Sequence, residues 1–316
     1  MLEPKNLPLM LNKQFAGTAH SHVTASRSVI AGLRATVYLL VGTLALLCAS
    51  QSFATSTPAK IKVLSEASGG LTRIMVENKE STDMTATIEI KAVNMECSVP
   101  LPHTVTVPAG KTVPAFTLTP KNVHGDWSYN WVNHYTVGRA DARHDSNYLY
   151  TLPYMPGASF KVSQGYHGTF SHTGPDEYAL DFKMPEGTPV LAAREGTVVS
   201  VKDNSERGGP SRKYEDDANL IVVQHSDGTM AHYCHLQGKS GKVRVGEKVR
   251  AGDMLALSGN TGFTSGPHLH FAVFKAKSGF GRETIPVKFR TADAAGITLV
   301  GGKSYKAADA APLASN

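Results

Sequence analysis

From residue 55 to about residue 150 the chain repeats one texture. Apolar and polar residues alternate for a few positions, and then a proline or glycine interrupts. In Met84 to Ala92, for instance, Ile88, Ile90 and Ala92 fall on one side and Thr87, Glu89 and Lys91 on the other. A period of two puts successive side chains on opposite faces of a strand, and no helical period competes with it here. Short strands at regular spacing, such as Leu71 to Val76, Val105 to Val107 and Val113 to Leu118, are separated by turns such as Pro108-Ala109-Gly110-Lys111. The pattern predicts an antiparallel β-sandwich of immunoglobulin-like type over residues 55–155.

The segment Tyr148 to Tyr154 closes this unit, and Pro153 with Pro156-Gly157 marks a linker. Beyond it glycines fall between short strands, at Gly165, Gly168, Gly174, Gly187 and Gly196. Thr188 to Ala193, Thr197 to Val201, Leu220 to Gln224, Met230 to Leu236, Val243 to Val249 and Met254 to Leu257 all read as strands. Asp227-Gly228 is a hairpin turn between two of them. Residues 203–218 are a polar loop, too rich in charge, Gly and Pro for a core. The expected fold is therefore all-β: the sandwich, then an antiparallel sheet domain over 156–300, then an Ala-rich frayed tail over 301–316.

The chain's 41% hydrophobic and 18% charged residues are ordinary for a folded protein and exclude wholesale disorder. Its net charge of +6 includes four basic residues and one acidic residue within 1–54. The remainder carries 28 basic and 25 acidic residues, about +3, which gives no case for nucleic acid. Within the first 54 residues, Arg34 precedes the uncharged run Val37 to Ala49, and Ser52-Phe53-Ala54 puts small residues at both positions a signal peptidase inspects. That is the order of a secretory signal, and the run is shorter than the roughly 20 residues of a membrane span. The expectation is an exported chain, periplasmic or associated with the cell envelope, with no stable membrane insertion after cleavage. Cleavage after Ala54 leaves Cys97 and Cys234, read as two unpaired thiols in different domains.

Chemistry concentrates in the second half. His268 and His270 lie two apart in Gly266-Pro267-His268-Leu269-His270-Phe271, so they share a strand face while Leu269 and Phe271 share the other. Two adjacent imidazoles are poor core material and suit a divalent metal. Asp181 sits in the apolar strand around Leu180 and Phe182, where a carboxylate must be paired or metal-bound. His172 lies in a Ser-His-Thr-Gly turn, and His235 follows Tyr233 on a hairpin strand. His225 is expected at the surface, and alternation puts His232 on the face opposite His235.

Taken together, these stretches resemble the lysostaphin/LytM-type zinc endopeptidases. The resemblance rests on Tyr178-Ala179-Leu180-Asp181-Phe182, Gly187-Thr188-Pro189-Val190, Tyr233-Cys234-His235-Leu236, Ser258-Gly259-Asn260-Thr261-Gly262 and the His268–His270 motif, and it covers about residues 160–275. It implies one Zn²⁺ per chain held by His172, Asp181 and His270, with His235 and His268 as the catalytic histidines. Which of those two takes the proton and which stabilises the oxyanion is left open. The implied substrate is the peptide of peptidoglycan stems or cross-links, cut by a metal-activated water. The alternative is a catalytically silent wall-binding protein or an activator of another cell-wall hydrolase. Many family members place the first histidine and the aspartate four apart; here the spacing is nine, and His167 is the rival first ligand.

Overall fold

Alternation becomes strand throughout the computed structural model, which describes residues 61–309 and the backbone of two short strands, Ala16–Ala19 and Ala25–Arg27. Among the described residues helix is confined to two 3₁₀ turns, Gly174–Asp176 and Arg212–Asp217. The apolar run from Val37 and the small-residue exit at Ala54 lie outside the described residues. No helix among the described residues is long and apolar enough to cross a membrane.

The N-terminal half is two antiparallel sheets. In one, Met84–Val93 runs between His103–Val107 and Trp127–Val137, and the two short early strands pair with the outer side of Trp127–Val137. The other has the order Ile61–Ser68, Leu71–Asn78, Thr112–Pro120, Met95–Cys97. Gly69 and Gly70, both at positive φ, make the tight turn between its first two strands. Ile74, Val76, Phe116 and Leu118 from this sheet meet Met84, Ala86, Ile88 and Trp131 from the first in one core.

The C-terminal half is built on a nine-stranded sheet. Its central run is Gly196–Lys202, Leu220–Gln224, Met230–Cys234, Leu269–Ser278, Leu180–Lys183 and Ser159–Gln164. Ile221, Val223, Ala231, Tyr233, Leu269 and Phe271 point into the domain's own core. Residues on the opposite face, Leu220, Val222, Met230, Cys234 and Phe274, are buried in the core of the N-terminal sandwich. At about 1.5–3 kcal/mol for each large apolar side chain fully buried, this shared core ties the two halves together.

Two segments reach further than their sequence suggests. Tyr150, Leu152 and Tyr154, from the stretch expected to close the sandwich, are buried in the C-terminal core, and Leu149–Thr151 pairs in parallel with Lys288–Arg290. Ser304–Lys306, expected in a frayed tail, pairs with Ser159–Lys161, so the sheet continues past residue 300. Cys97 and Cys234 are both free thiols.

Candidate metal centre

The pairing register creates the centre. Asp181 lies directly across from His270 on one side and from Gln164 on the other, so three polar side chains line up on one face. Asp181 Oδ1 is 2.8 Å from His270 Nδ1, 3.2 Å from His172 Nε2 and 3.8 Å from His268 Nε2. Gln164 Nε2 donates to the other carboxylate oxygen at 3.1 Å. His172, fully buried in its turn, donates Nδ1–H to the Gly165 carbonyl at 2.9 Å. A carbonyl can only accept, so the neutral ring presents a bare lone pair at Nε2.

That lone pair then faces a carboxylate oxygen, acceptor against acceptor, and Nε2 makes no hydrogen bond. Such a contact calls for a cation between or beside the two atoms. The electrostatics agree. Burial pulls the His172 pKa down, but the adjoining Asp181 carboxylate outweighs it and leaves the imidazole raised. Burial likewise pushes Asp181 up, yet His172 and His270 hold its carboxyl well below the usual range. Two imidazoles and one carboxylate, with ligand atoms all within 4.8 Å of one another, fit a divalent ion such as zinc with a coordination position to spare.

His235 and His268 flank this trio. His235 follows strand Met230–Cys234 in the left-handed conformation, at φ +63°, which turns its ring off the strand's alternation. Its Nδ1–H donates to the Thr261 carbonyl at 2.7 Å. His268 donates Nδ1–H to the Gly266 carbonyl at 2.8 Å. The two rings stand 4.5 Å apart, each with Nε2 left as an acceptor. Burial first, and then His268 and His270, lower the His235 pKa to about 3, so this ring stays neutral at ordinary pH.

Both rings open onto a cleft of about 650 Å³ whose rim carries Phe170, Phe263, Arg212, Glu215 and Lys183. The polar loop 203–218 is a wall of this cleft. Gly208–Gly209 pairs in parallel with Gly262–Phe263, so close that a Cβ on Gly208 would collide with the Asn260 carbonyl oxygen. Asn219 braces the same wall: its side chain donates to Ser205 and Leu236 carbonyls, and its backbone N–H to Thr261 Oγ1. Among the described residues, none that lines the cleft comes from the N-terminal sandwich.

Other histidines fall differently from their sequence reading. His167 stands apart, exposed and paired with Glu177 at 3.1 Å. His225, expected at the surface, is buried with Nδ1 on the Glu195 carbonyl. His232 shares the face of His270, 5.2 Å away ring to ring, because it is His235 that leaves the alternation. Burial, reinforced by Arg282, lowers the His232 pKa well below its ordinary value. Asp176 was not singled out from sequence, yet it lies behind His270 with its carboxylate on Arg282 at 2.6 Å. Gly174-Pro175 before it, with proline at the start of a 3₁₀ turn, was the available signal.

Residues 176–281 match Peptidase family M23. That stretch, about a third of the chain, is similar to an M23 peptidase domain. Among similar proteins, the peptidoglycan DD-endopeptidase ShyA of Vibrio cholerae is 32% identical over 164 residues, 51% of this chain and 32% of that protein. The glycyl-glycine endopeptidase ALE-1 of Staphylococcus capitis is 36% identical over 99 residues, 31% of this chain and 24% of that protein. The solved catalytic domain of lysostaphin from Staphylococcus simulans is 28% identical, with 40% of this chain and 87% of that chain covered and a TM-score of 0.28. The chain spans less than a third of the length of these curated relatives. The M23 match begins at Asp176, so it contains Asp181, His235, His268 and His270, while His172 lies four residues before it.

Proposed function

We propose that this chain is a zinc-dependent endopeptidase that hydrolyses peptide bonds in peptidoglycan stems or cross-links, exported to the periplasm or cell envelope by its N-terminal leader. The observation that carries the reading is the convergence on one Asp181 oxygen of His172 and His270, with His235 and His268 beside them in an open cleft. The substrate class is supported by relatives named for peptidoglycan DD-endopeptidase and glycyl-glycine endopeptidase activity.

In this reading His172 Nε2, Asp181 Oδ1 and His270 Nδ1 hold one Zn²⁺. Bound there, zinc supplies Lewis acidity toward a carbonyl and makes water acidic enough to attack it near neutral pH. The chain's own residues do the rest. His235 and His268, each with Nδ1–H spent on a backbone carbonyl, present Nε2 to the cleft as acceptors. One takes the proton from the attacking water, and the resulting imidazolium or its partner steadies the charge on the former carbonyl oxygen. The cleft rim, apolar at Phe170 and Phe263 and charged at Lys183, Arg212 and Glu215, receives the peptide on either side.

The test is release of soluble fragments from purified peptidoglycan by the full chain, with zinc, after chelation and after zinc is returned, with mass spectrometry of the fragments. Release that stops on chelation and resumes with zinc is expected, and the fragment masses name the bond. No release by a zinc-loaded protein would overturn the reading.

A further inference from the structure

His270 is asked to serve two groups at once, and only one is accounted for. Its Nδ1 faces Asp181, whereas its buried Nε2 makes no hydrogen bond. When Nδ1 gives its lone pair to a metal, the ring's single proton must sit on Nε2. A buried N–H without an acceptor costs about 1–3 kcal/mol, so the ligand would be weakened by its own second nitrogen. Two groups stand near enough to accept: the Asp176 carboxylate, with Oδ1 4.0 Å from Nε2, and the His232 ring.

We infer that Asp176 is the positioning residue of the metal centre, accepting the Nε2–H of His270 while Nδ1 holds zinc. The inference rests on the reading of His270 as a zinc ligand. Asp176 is a carboxylate, and a charged acceptor makes a hydrogen bond roughly twice as strong as a neutral imidazole does. It is also aimed. Arg282 Nη2 grips the same oxygen at 2.6 Å, and Nη1 donates to the Pro175 carbonyl at 3.2 Å, so the turn and the carboxylate are set as one piece. The Arg282 side chain is completely buried and lies over the Phe274 ring. The 4.0 Å gap exceeds a hydrogen bond by only about 1 Å, within the reach of a ring that turns from Asp181 toward a metal.

The same geometry argues against a second metal. Asp176, His232 and His270 also have ligand atoms within 4.8 Å of one another. Arg282 already sits on the carboxylate as a fixed cation, so an added divalent ion would be held against like charge. The eight residues between His172 and Asp181 now have a purpose: their 3₁₀ turn carries Asp176 behind the ligand strand.

The experiment measures zinc affinity of the full chain by competition with a chromophoric chelator, and reads the His270 ring by ¹⁵N NMR of the zinc-loaded protein. Asp176→Asn keeps a neutral acceptor. Asp176→Ala combined with Arg282→Met removes carboxylate and guanidinium together, so no buried charge is stranded. His232→Gln tests the rival acceptor. Expected are a loss of about 10–100-fold in zinc affinity in the double variant, disappearance of its slowly exchanging Nε2–H signal, and partial rescue in Asp176→Asn. A purely structural role for Asp176 would lower melting temperature while leaving affinity and ring signal at wild-type values, and that result overturns the inference. So does a larger loss from His232→Gln than from the double variant. A wild-type chain that takes up no zinc sinks the zinc reading itself and this inference with it, an outcome visible before any variant is made.

Discussion

Two aspartates in the same domain, Asp181 and Asp227, have side chains that are each 12% exposed. Asp227 Oδ2 receives Arg194 Nη1 at 2.7 Å, and its Oδ1 receives Thr229 through backbone and hydroxyl at 3.0 and 2.6 Å. Arg194 in turn lies on the Tyr148 ring, 4.1 Å from its centroid, and donates to the Tyr150 hydroxyl. Burial works against the Asp227 charge, but His144, Thr229 and Arg194 keep its carboxyl far below the ordinary range. Asp181 has no such fixed cation. Among the described residues its ion-pair partners are His172, His268 and His270 alone. Side-chain exposure does not set these two carboxylates apart; their partners do. A guanidinium closes the account at Asp227, whereas imidazoles at Asp181 offer lone pairs that need a cation from outside.

The contrast breaks first at the proposed ligands. His172→Ala and His270→Ala should each lose stoichiometric zinc, read as metal content after desalting, while His167→Ala retains it. His268→Ala should keep its zinc and lose about 10²–10⁴-fold in turnover on peptidoglycan. Full zinc in His172→Ala, or wild-type turnover in His268→Ala, would dissolve the distinction between holding the metal and moving the proton.

Next come the two carboxylates themselves. Asp227→Asn leaves buried Arg194 with only the looser Glu195 carboxylate, 3.8 Å away, and should cost about 1.5–3 kcal/mol in denaturant unfolding with zinc affinity unchanged. Asp181→Asn should do the reverse, abolishing zinc uptake while costing the metal-free fold much less. Equal destabilisation by both would mean that Asp181 is a structural carboxylate like Asp227.

Much of this site was legible in the sequence, because it lies where strand alternation holds. The period of two puts His268 and His270 on one face, and Leu269 and Phe271 are indeed fully buried on the other. Asp181 was conspicuous as a charge in an apolar strand. What escaped lies where alternation fails or where burial comes from another part of the chain. His235 leaves its strand's period through a left-handed φ, which shifts the apparent face of His232. Leu220 to Val223 and Met230 to Cys234 are buried on both faces, and such continuous apolar runs are the mark of a strand covered twice. They could have announced that the sandwich packs onto this sheet, so that deleting residues 55–155 would strip Phe274, Met230 and Val222 of their cover.

The smallest expected effect concerns the histidines at the two ends. At the Asp181 end the neighbouring carboxylate raises the His172 pKa; at the Arg194 end burial, with Arg194 adding repulsion, lowers that of His225 to about 4. The unfolded value is about 6.5, so His225 binds a proton more readily unfolded than folded. Its contribution to stability is therefore fully present above about pH 6.5 and is lost as pH falls through the window from 6.5 to 4. The loss should be on the order of 1–3 kcal/mol. His225→Asn keeps an N–H for the Glu195 carbonyl and cannot titrate, so the metal-free variant should lose less stability than wild type across that window. The comparison must be made on metal-free protein, since His235 and His232 are also held neutral by burial and titrate in the same direction in both chains. Subtracting the two pH profiles leaves His225 alone. Parallel profiles for wild type and His225→Asn would show that this imidazole is not held neutral beside Arg194, and that the two ends treat their histidines alike.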